Sequence, residues 1–154
     1  MKSKIFIIAG IFFLLVSCTD NSIYKQNRRI SDDGWHKDSV VQFVAKIADT
    51  ANYFDIYITI RNKNDYPCQN LFMFVQSISP QGNYIVDTLN FLLADDYGRW
   101  AGKSISRIWE NDFLFRKNVK FASKGNYTFK ISQGMRYDIL DGISDVAINI
   151  EPAK

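Results

Sequence analysis

Few side chains in this 154-residue chain could carry covalent, acid-base or metal chemistry, and their spacing decides against most of it. His36 is the single histidine, so a site with two imidazole ligands is excluded and any Ser-His-Asp scheme rests on that one residue. No Gly-x-Ser-x-Gly elbow, His-Glu-x-x-His helix or phosphate-cradling glycine loop occurs. The acidic pairs Asp32-Asp33 and Asp95-Asp96 lack the Asp-x-Asp-x-Asp rhythm of a calcium loop, and neighbouring carboxylates in a loop generally point apart into solvent. Glu110, between Trp109 and Asn111, reads as turn chemistry. The expectation is a protein that is not an enzyme, with no catalytic residues, no metal, no cofactor and no small-molecule substrate.

The chemistry that does stand out is at Cys18. Lys2 and Lys4 precede an apolar run from Ile5 to Val16, which ends in Leu15-Val16-Ser17-Cys18. A charged start followed by a short apolar stretch is the layout of a secretory signal. The run is shorter than the roughly 20 residues a helix needs to cross a bilayer. Leu-Val-Ser-Cys resembles the lipobox of bacterial lipoproteins, in which a small residue precedes the cysteine. It predicts a signal peptide over residues 1–17, removed to leave a lipidated Cys18 as the new amino terminus. Buried acyl chains contribute about 0.8 kcal/mol per CH₂, and two or three together hold a protein at its membrane. Asp20 lies two places after Cys18, where some bacteria read an inner-membrane retention signal and others do not. The expected location is lipid-anchored and periplasm-facing, with the outer membrane ahead of the inner.

Loss of Lys2 and Lys4 with the signal brings 19 basic against 16 acidic side chains close to balance, which removes the case for a nucleic-acid or polybasic membrane surface. With Cys18 lipidated, Cys68 has no partner in its own chain, so no disulfide framework exists. Cys68 reads as a small buried thiol ahead of a redox or crosslinking site.

The elements that must position any site are strands. Residues 18–34 read as the lipidated cysteine and a polar tether, and residues 35–154 as one domain. Val41, Phe43, Ala45 and Ile47 recur at every second place, as do Ile56, Ile58 and Ile60, which is the period of a half-buried strand. Leu71 to Ile78 is apolar on both faces at its start, as for a central strand covered on each side. Further strands are expected over 84–93, 104–108, 113–121, 127–132 and 146–150, with turns at 62–67 and 79–83. Twelve Phe and eight Tyr suit sheets whose inner faces interlock large rings. The fold class expected is all-β, a two-sheet sandwich, jelly-roll-like ahead of immunoglobulin-like, with one interruption. At 133–142 the apolar residues Met135, Ile139 and Leu140 fit a short helical crossing that Gly142 would close.

Two loops carry the candidate partner-binding residues: Asp95, Trp100 and Lys103 in 93–103, where Gly98 and Gly102 flank the tryptophan, and Met135 and Arg136 in the crossing. Trp100 reads as a plug over the sandwich end ahead of a partner contact. For the glycines and Arg136 a purely structural role is as well supported as a site.

The ordered pieces of the domain resemble the gliding-motility lipoprotein GldH family. They are Trp35 with Asp38 to Phe43, Arg61-Asn62, Tyr66-Pro67, Asn70-Leu71, Asp87-Thr88, Leu93 to Asp95, Gly98, Trp100, Gly102-Lys103, Gly125, Tyr127, Phe129, Gln133, Met135-Arg136, Ile143, Asp145-Val146 and Ile150-Glu151. The resemblance spans nearly all of the mature chain. Cys68, Ser104, Ser106 and Ala147 depart from its pattern. What it implies is a noncatalytic lipoprotein of the gliding and associated secretion machinery, with envelope proteins as partners and no catalytic residue to carry over. A glycan or peptidoglycan binder is the alternative, and requires at least two of Trp35, Trp100, Trp109 and Tyr97 on one exposed, coplanar face. A hydrolase built on His36 is the weakest reading.

Overall fold

A computed structural model describes residues 21–154, and over that range the chain is all β, with no helix. Strands β1 (Tyr24–Arg29), β11 (Ile143–Pro152), β4 (Phe54–Lys63), β8 (Ile108–Val119) and β7 (Lys103–Ile105) lie in that order in one antiparallel sheet. Strands β3 (Val41–Ile47), β9 (Gly125–Gln133), β5 (Asn70–Ile78) and β6 (Tyr84–Leu92) make a second. The short β2 (Trp35–His36) and β10 (Ile139–Leu140) pair by themselves.

The pairing is nested. The hairpin β5–β6 lies inside β4–β8, that inside β3–β9, and that inside β1–β11, with successive pairs falling in alternate sheets. Eight strands ordered this way are those of a jelly roll. Period-2 alternation supplies the core: Phe43, Ala45 and Ile47 from β3, Ile56, Ile58 and Ile60 from β4, and Leu71, Met73 and Val75 from β5 meet Phe129, Ile131 and Ile148 between the sheets. Trp35 is sealed at one end, 1% exposed, with its Nε1 donating to the Ser39 carbonyl at 3.0 Å.

Four expectations are corrected. The segment read as a tether contains β1, paired residue for residue with β11 from Tyr24↔Ile150 to Arg29↔Asp145, and Ile30 after it is 6% exposed. Its polar composition misled because β1 is an edge strand with most side chains in solvent, held mainly by backbone bonds. The helical crossing is absent. The Gly134 amide donates to the Phe72 carbonyl at 2.7 Å and the Met135 amide to Gln133 Oε1 at 2.7 Å, while Ile139 and Leu140 pair with β2, so no run of amides is left to start a helix. Gly142 stands at φ +84° in the turn into β11, and a Cβ there would lie 2.5 Å from Tyr66 Cα. β5 is covered on one face only, with Phe72 and Phe74 exposed on the other. Residues 104–108 form a hairpin rather than one strand, with Ser106 and Arg107 both at positive φ between β7 and β8.

Candidate functional site

The 93–103 loop and the 134–138 crossing meet at one end of the sandwich, joined by residues 66–70, which lead from β4 into the start of β5. Asp95 organises the loop. Its Oδ1 accepts the amides of Tyr97 and Arg99, both at 2.9 Å, and its Oδ2 accepts Arg99 Nε at 2.7 Å. Donation from the Arg99 amide foremost, with the Arg99 side chain and the Tyr97 amide, holds the Asp95 carboxyl below its ordinary range. Trp100 closes the loop against Ala94 through a β-bridge and packs its ring on Tyr66, with centroids 6.2 Å apart and planes at 49°.

Tyr66 and Gln69 tie the loop to the body. The Gln69 carbonyl accepts the amides of Leu93 (2.8 Å) and Ala94 (3.0 Å), and Gln69 Nε2 donates to the Asp95 carbonyl. Tyr66 is 4% exposed, its hydroxyl donates to the Asn70 carbonyl at 2.8 Å, and burial pushes its phenol pKa up. From the same segment Cys68 Sγ lies 3.8 Å from the Tyr137 hydroxyl in the crossing, a contact that raises the Tyr137 pKa. Cys68 is half-buried and unpaired in a disulfide.

In the crossing, Met135 Sδ accepts the Phe72 amide at 3.2 Å, and Gln133 Nε2 donates to the Tyr137 carbonyl at 2.8 Å. Arg136 is exposed beside Phe72, Met135 and Tyr137 in a shallow surface cleft. The crossing is fastened to β2 by Lys37, whose Nζ pairs with Asp138 at 2.6 Å. Among the described residues Arg136 has no ion pair, and the same holds for Lys103, exposed in β7. Asp95, Trp100 and Met135 therefore shape the two loops, while Arg136 and Lys103 face solvent. Cys18 lies outside the described residues.

Sequence reasoning did not single out Tyr66, Gln69 or Tyr137 as loop supports. The Tyr66-Pro67 pair was the available signal, being an aromatic in a turn otherwise made of polar residues. It also missed a charged network on the outer face of the five-stranded sheet, where Arg61 pairs with Glu110 at 2.6 Å and with Asp145, and Thr59 Oγ1 donates to Asp112 at 2.5 Å. Thr59, Arg61, Glu110 and Asp112 line a polar groove of about 550 Å³. Residues far apart in sequence come together there through pairing of β4 with β8 and β11, which no local pattern reveals.

Comparison with known proteins adds the decisive observation. The family model described as GldH lipoprotein matches residues 22–150. The chain belongs to that family. The match begins ahead of β1 and runs into β11, so it takes in both members of the outermost strand pair. Similar relatives of this GldH-family chain are the "Gliding motility lipoprotein GldH homolog" of Christiangramia forsetii, 36% identical over 96% of this chain and 94% of the relative, and the "Gliding motility lipoprotein GldH" of Flavobacterium johnsoniae, 33% identical over 97% and 96%. Among solved structures, the infectious bursal disease virus VP2 subviral particle matches at TM-score 0.34 and 12% identity over 84% of this chain and 30% of that chain. A GldH-family domain with Trp35 buried, Trp100 packed on Tyr66 and Trp109 Nε1 tied to Asn64 Oδ1 at 2.6 Å does not support a sugar-stacking platform.

Proposed function

We propose that this chain is a lipid-anchored, noncatalytic interaction module of the gliding-motility and associated secretion machinery. It is held on the periplasmic side of an envelope membrane through lipid on Cys18, with the outer membrane favoured, and docks another envelope protein by the end of its sandwich. Family membership supports the motility assignment, because its relatives from C. forsetii and F. johnsoniae are described as gliding-motility lipoproteins. The observation that carries the docking surface is the convergence of the Trp100 loop and the Arg136 crossing on residues 66–70, with a charged side chain left unpaired at the centre of exposed aromatic surface. A rigid sandwich presenting braced loops suits recognition better than turnover. Arginine beside exposed rings is a common anchor in interfaces, and an Arg without an internal partner costs nothing in the fold when it engages a partner's carboxylate.

The experiment is chemical crosslinking and pull-down from native membranes, comparing wild type with Arg136→Glu and Trp100→Ala, each with lipidation and folding confirmed. Arg136→Glu is expected to lose a specific envelope protein while leaving the fold intact, because its side chain is exposed and unpaired. A partner set unchanged in both variants would move the docking surface away from this end of the sandwich.

A further inference from the structure

The edges of the sandwich are blunted in every case but one. An edge strand offers unpaired backbone groups to any other strand, and proteins guard such edges with charges, short strands, bulges or cover. β1 carries Lys25, Arg28 and Arg29. β3 is covered by a β1 side chain, since Arg28 Nε donates to the Gln42 carbonyl at 3.5 Å. On the far side, β7 is three residues long and includes Lys103. Beyond it β8 is interrupted by register shifts against β4, with Asn118 at φ 53° and Arg116 and Lys117 in the strand.

β6 has only one of these devices, a single charge. Over nine residues, Tyr-Ile-Val-Asp-Thr-Leu-Asn-Phe-Leu, it has no Lys, Arg, Pro or Gly and pairs with β5 in unbroken register. Its one charge, Asp87, is met inside the chain by Arg116 at 2.5 Å. Just outside its ends, the Asn83 carbonyl accepts from Ser79 and the Leu93 amide donates to Gln69, so odd-numbered residues bond toward β5. Alternation then turns the amides and carbonyls of Tyr84, Val86, Thr88, Asn90 and Leu92 outward. Among the described residues no strand pairs with that side.

We propose that β6 is the contact of a twofold homodimer, formed when β6 of one copy adds antiparallel to β6 of a second about Thr88. In that register Thr88 lies opposite Thr88, Val86 opposite Asn90 and Tyr84 opposite Leu92. Every outward-bonding residue thus meets another, and each pair exchanges both of its hydrogen bonds. The strand is complementary to itself in side chains as well. Tyr84 and Leu92, 64% and 63% exposed, become cross-strand neighbours, while on the other face Ile85, 62% exposed, comes opposite Phe91. Asp87 falls opposite Leu89, so no two like charges are brought face to face. The same patch serves both copies, as a closed twofold contact requires, and the two four-stranded sheets become one of eight. This contact runs along the sheet edge and adjoins the sandwich end proposed to hold the envelope partner, since Leu92 pairs with Asn70 and leads into the Trp100 loop.

The test is oxidative crosslinking of the full-length, lipidated protein in its native membrane. Thr88 is exposed, and a Thr88→Cys pair facing itself across an antiparallel ladder lies within the Cα separation a disulfide spans. Thr88→Cys is expected to give a species of twice the chain mass, absent from wild type with its native Cys68. Asn90→Cys, opposite Val86, is expected to give none. Adding Val86→Pro to Thr88→Cys removes an outward amide without touching the β5 ladder and is expected to abolish the crosslink. Detergent-extracted wild type should sediment with two protein chains and Val86→Pro with one, which keeps the proposal open to test even if the cysteine variant folds poorly. A Thr88→Cys protein that is folded and does not crosslink, an equal crosslink at position 90, capture of a different protein at position 88, or a wild type that sediments as a single chain would each overturn it.

Discussion

Asp95 shows how one side chain converts a polar, glycine-containing stretch into a fixed loop. Its carboxylate satisfies two backbone amides and the Arg99 side chain, and this works only while it is ionised. With its pKa depressed below the ordinary 3.8, the order it provides is fully present above that value and is lost as pH falls through the lowered one. Amide resonances of Tyr97 and Arg99 are therefore expected to move together with a midpoint below the ordinary aspartate value. In Asp95→Ala they should already sit near the low-pH positions at neutrality. A joint movement at or above the ordinary value in the wild type would show that these bonds do not order the loop. The effect belongs to this residue, since Asp96 beside it makes none of these bonds.

Strand β1 was concealed by its own solvation. Lys25, Gln26, Asn27, Arg28 and Arg29 have almost no apolar period, and only backbone pairing to β11 makes them a strand. The substitution that separates a strand from a tether is Ile30→Ala. Ile30 is sealed in the core just after β1, with its amide donating to the Ser144 carbonyl at 2.9 Å. Truncating a buried isoleucine costs about 2–5 kcal/mol, whereas a residue of a solvated tether would show next to nothing. Urea denaturation of Ile30→Ala is expected to give a loss of about 2 kcal/mol or more with an unchanged slope. A loss within about 0.5 kcal/mol would mean that residues 24–30 do not dock on the domain.

Nested pairing gives the molecule a single unit of cooperativity. β1 from the start of the described chain and β11 from its end close the outermost pair, and the two sheets share one core, so neither sheet has an independent set of buried residues. Trp35 and Trp100 both lie at the end of the sandwich where the crossing packs, and their fluorescence reports on the core there, whereas far-UV circular dichroism reports on every strand. Urea unfolding followed by tryptophan fluorescence and by far-UV circular dichroism is expected to give superimposable transitions. Two separated midpoints would show that an end of the sandwich unfolds by itself. Pairs as distant in sequence as β1 and β11 also place folding in the slow range of β-rich domains, about milliseconds to seconds.

Period-2 apolar spacing made β3 and β4 legible, because a half-buried strand must alternate whatever it packs against, and turn residues between apolar runs marked out β5, β6, β9 and β11. Turn residues at 79–83 and the loop around Trp100 were legible for the same local reason. Long-range pairing was not. It alone makes a strand of Tyr24–Arg29 and turns 133–142 into a bridge to β2 instead of a helix. It also brings Arg61 between Glu110 and Asp145 and sets Tyr66 beneath Trp100. In β3 and β4 sequence by itself determined which residues face inward, since burial of apolar side chains there follows local period. Only the tertiary structure decided which strands are neighbours and which edge is left open, because backbone hydrogen bonds between strands carry no side-chain identity.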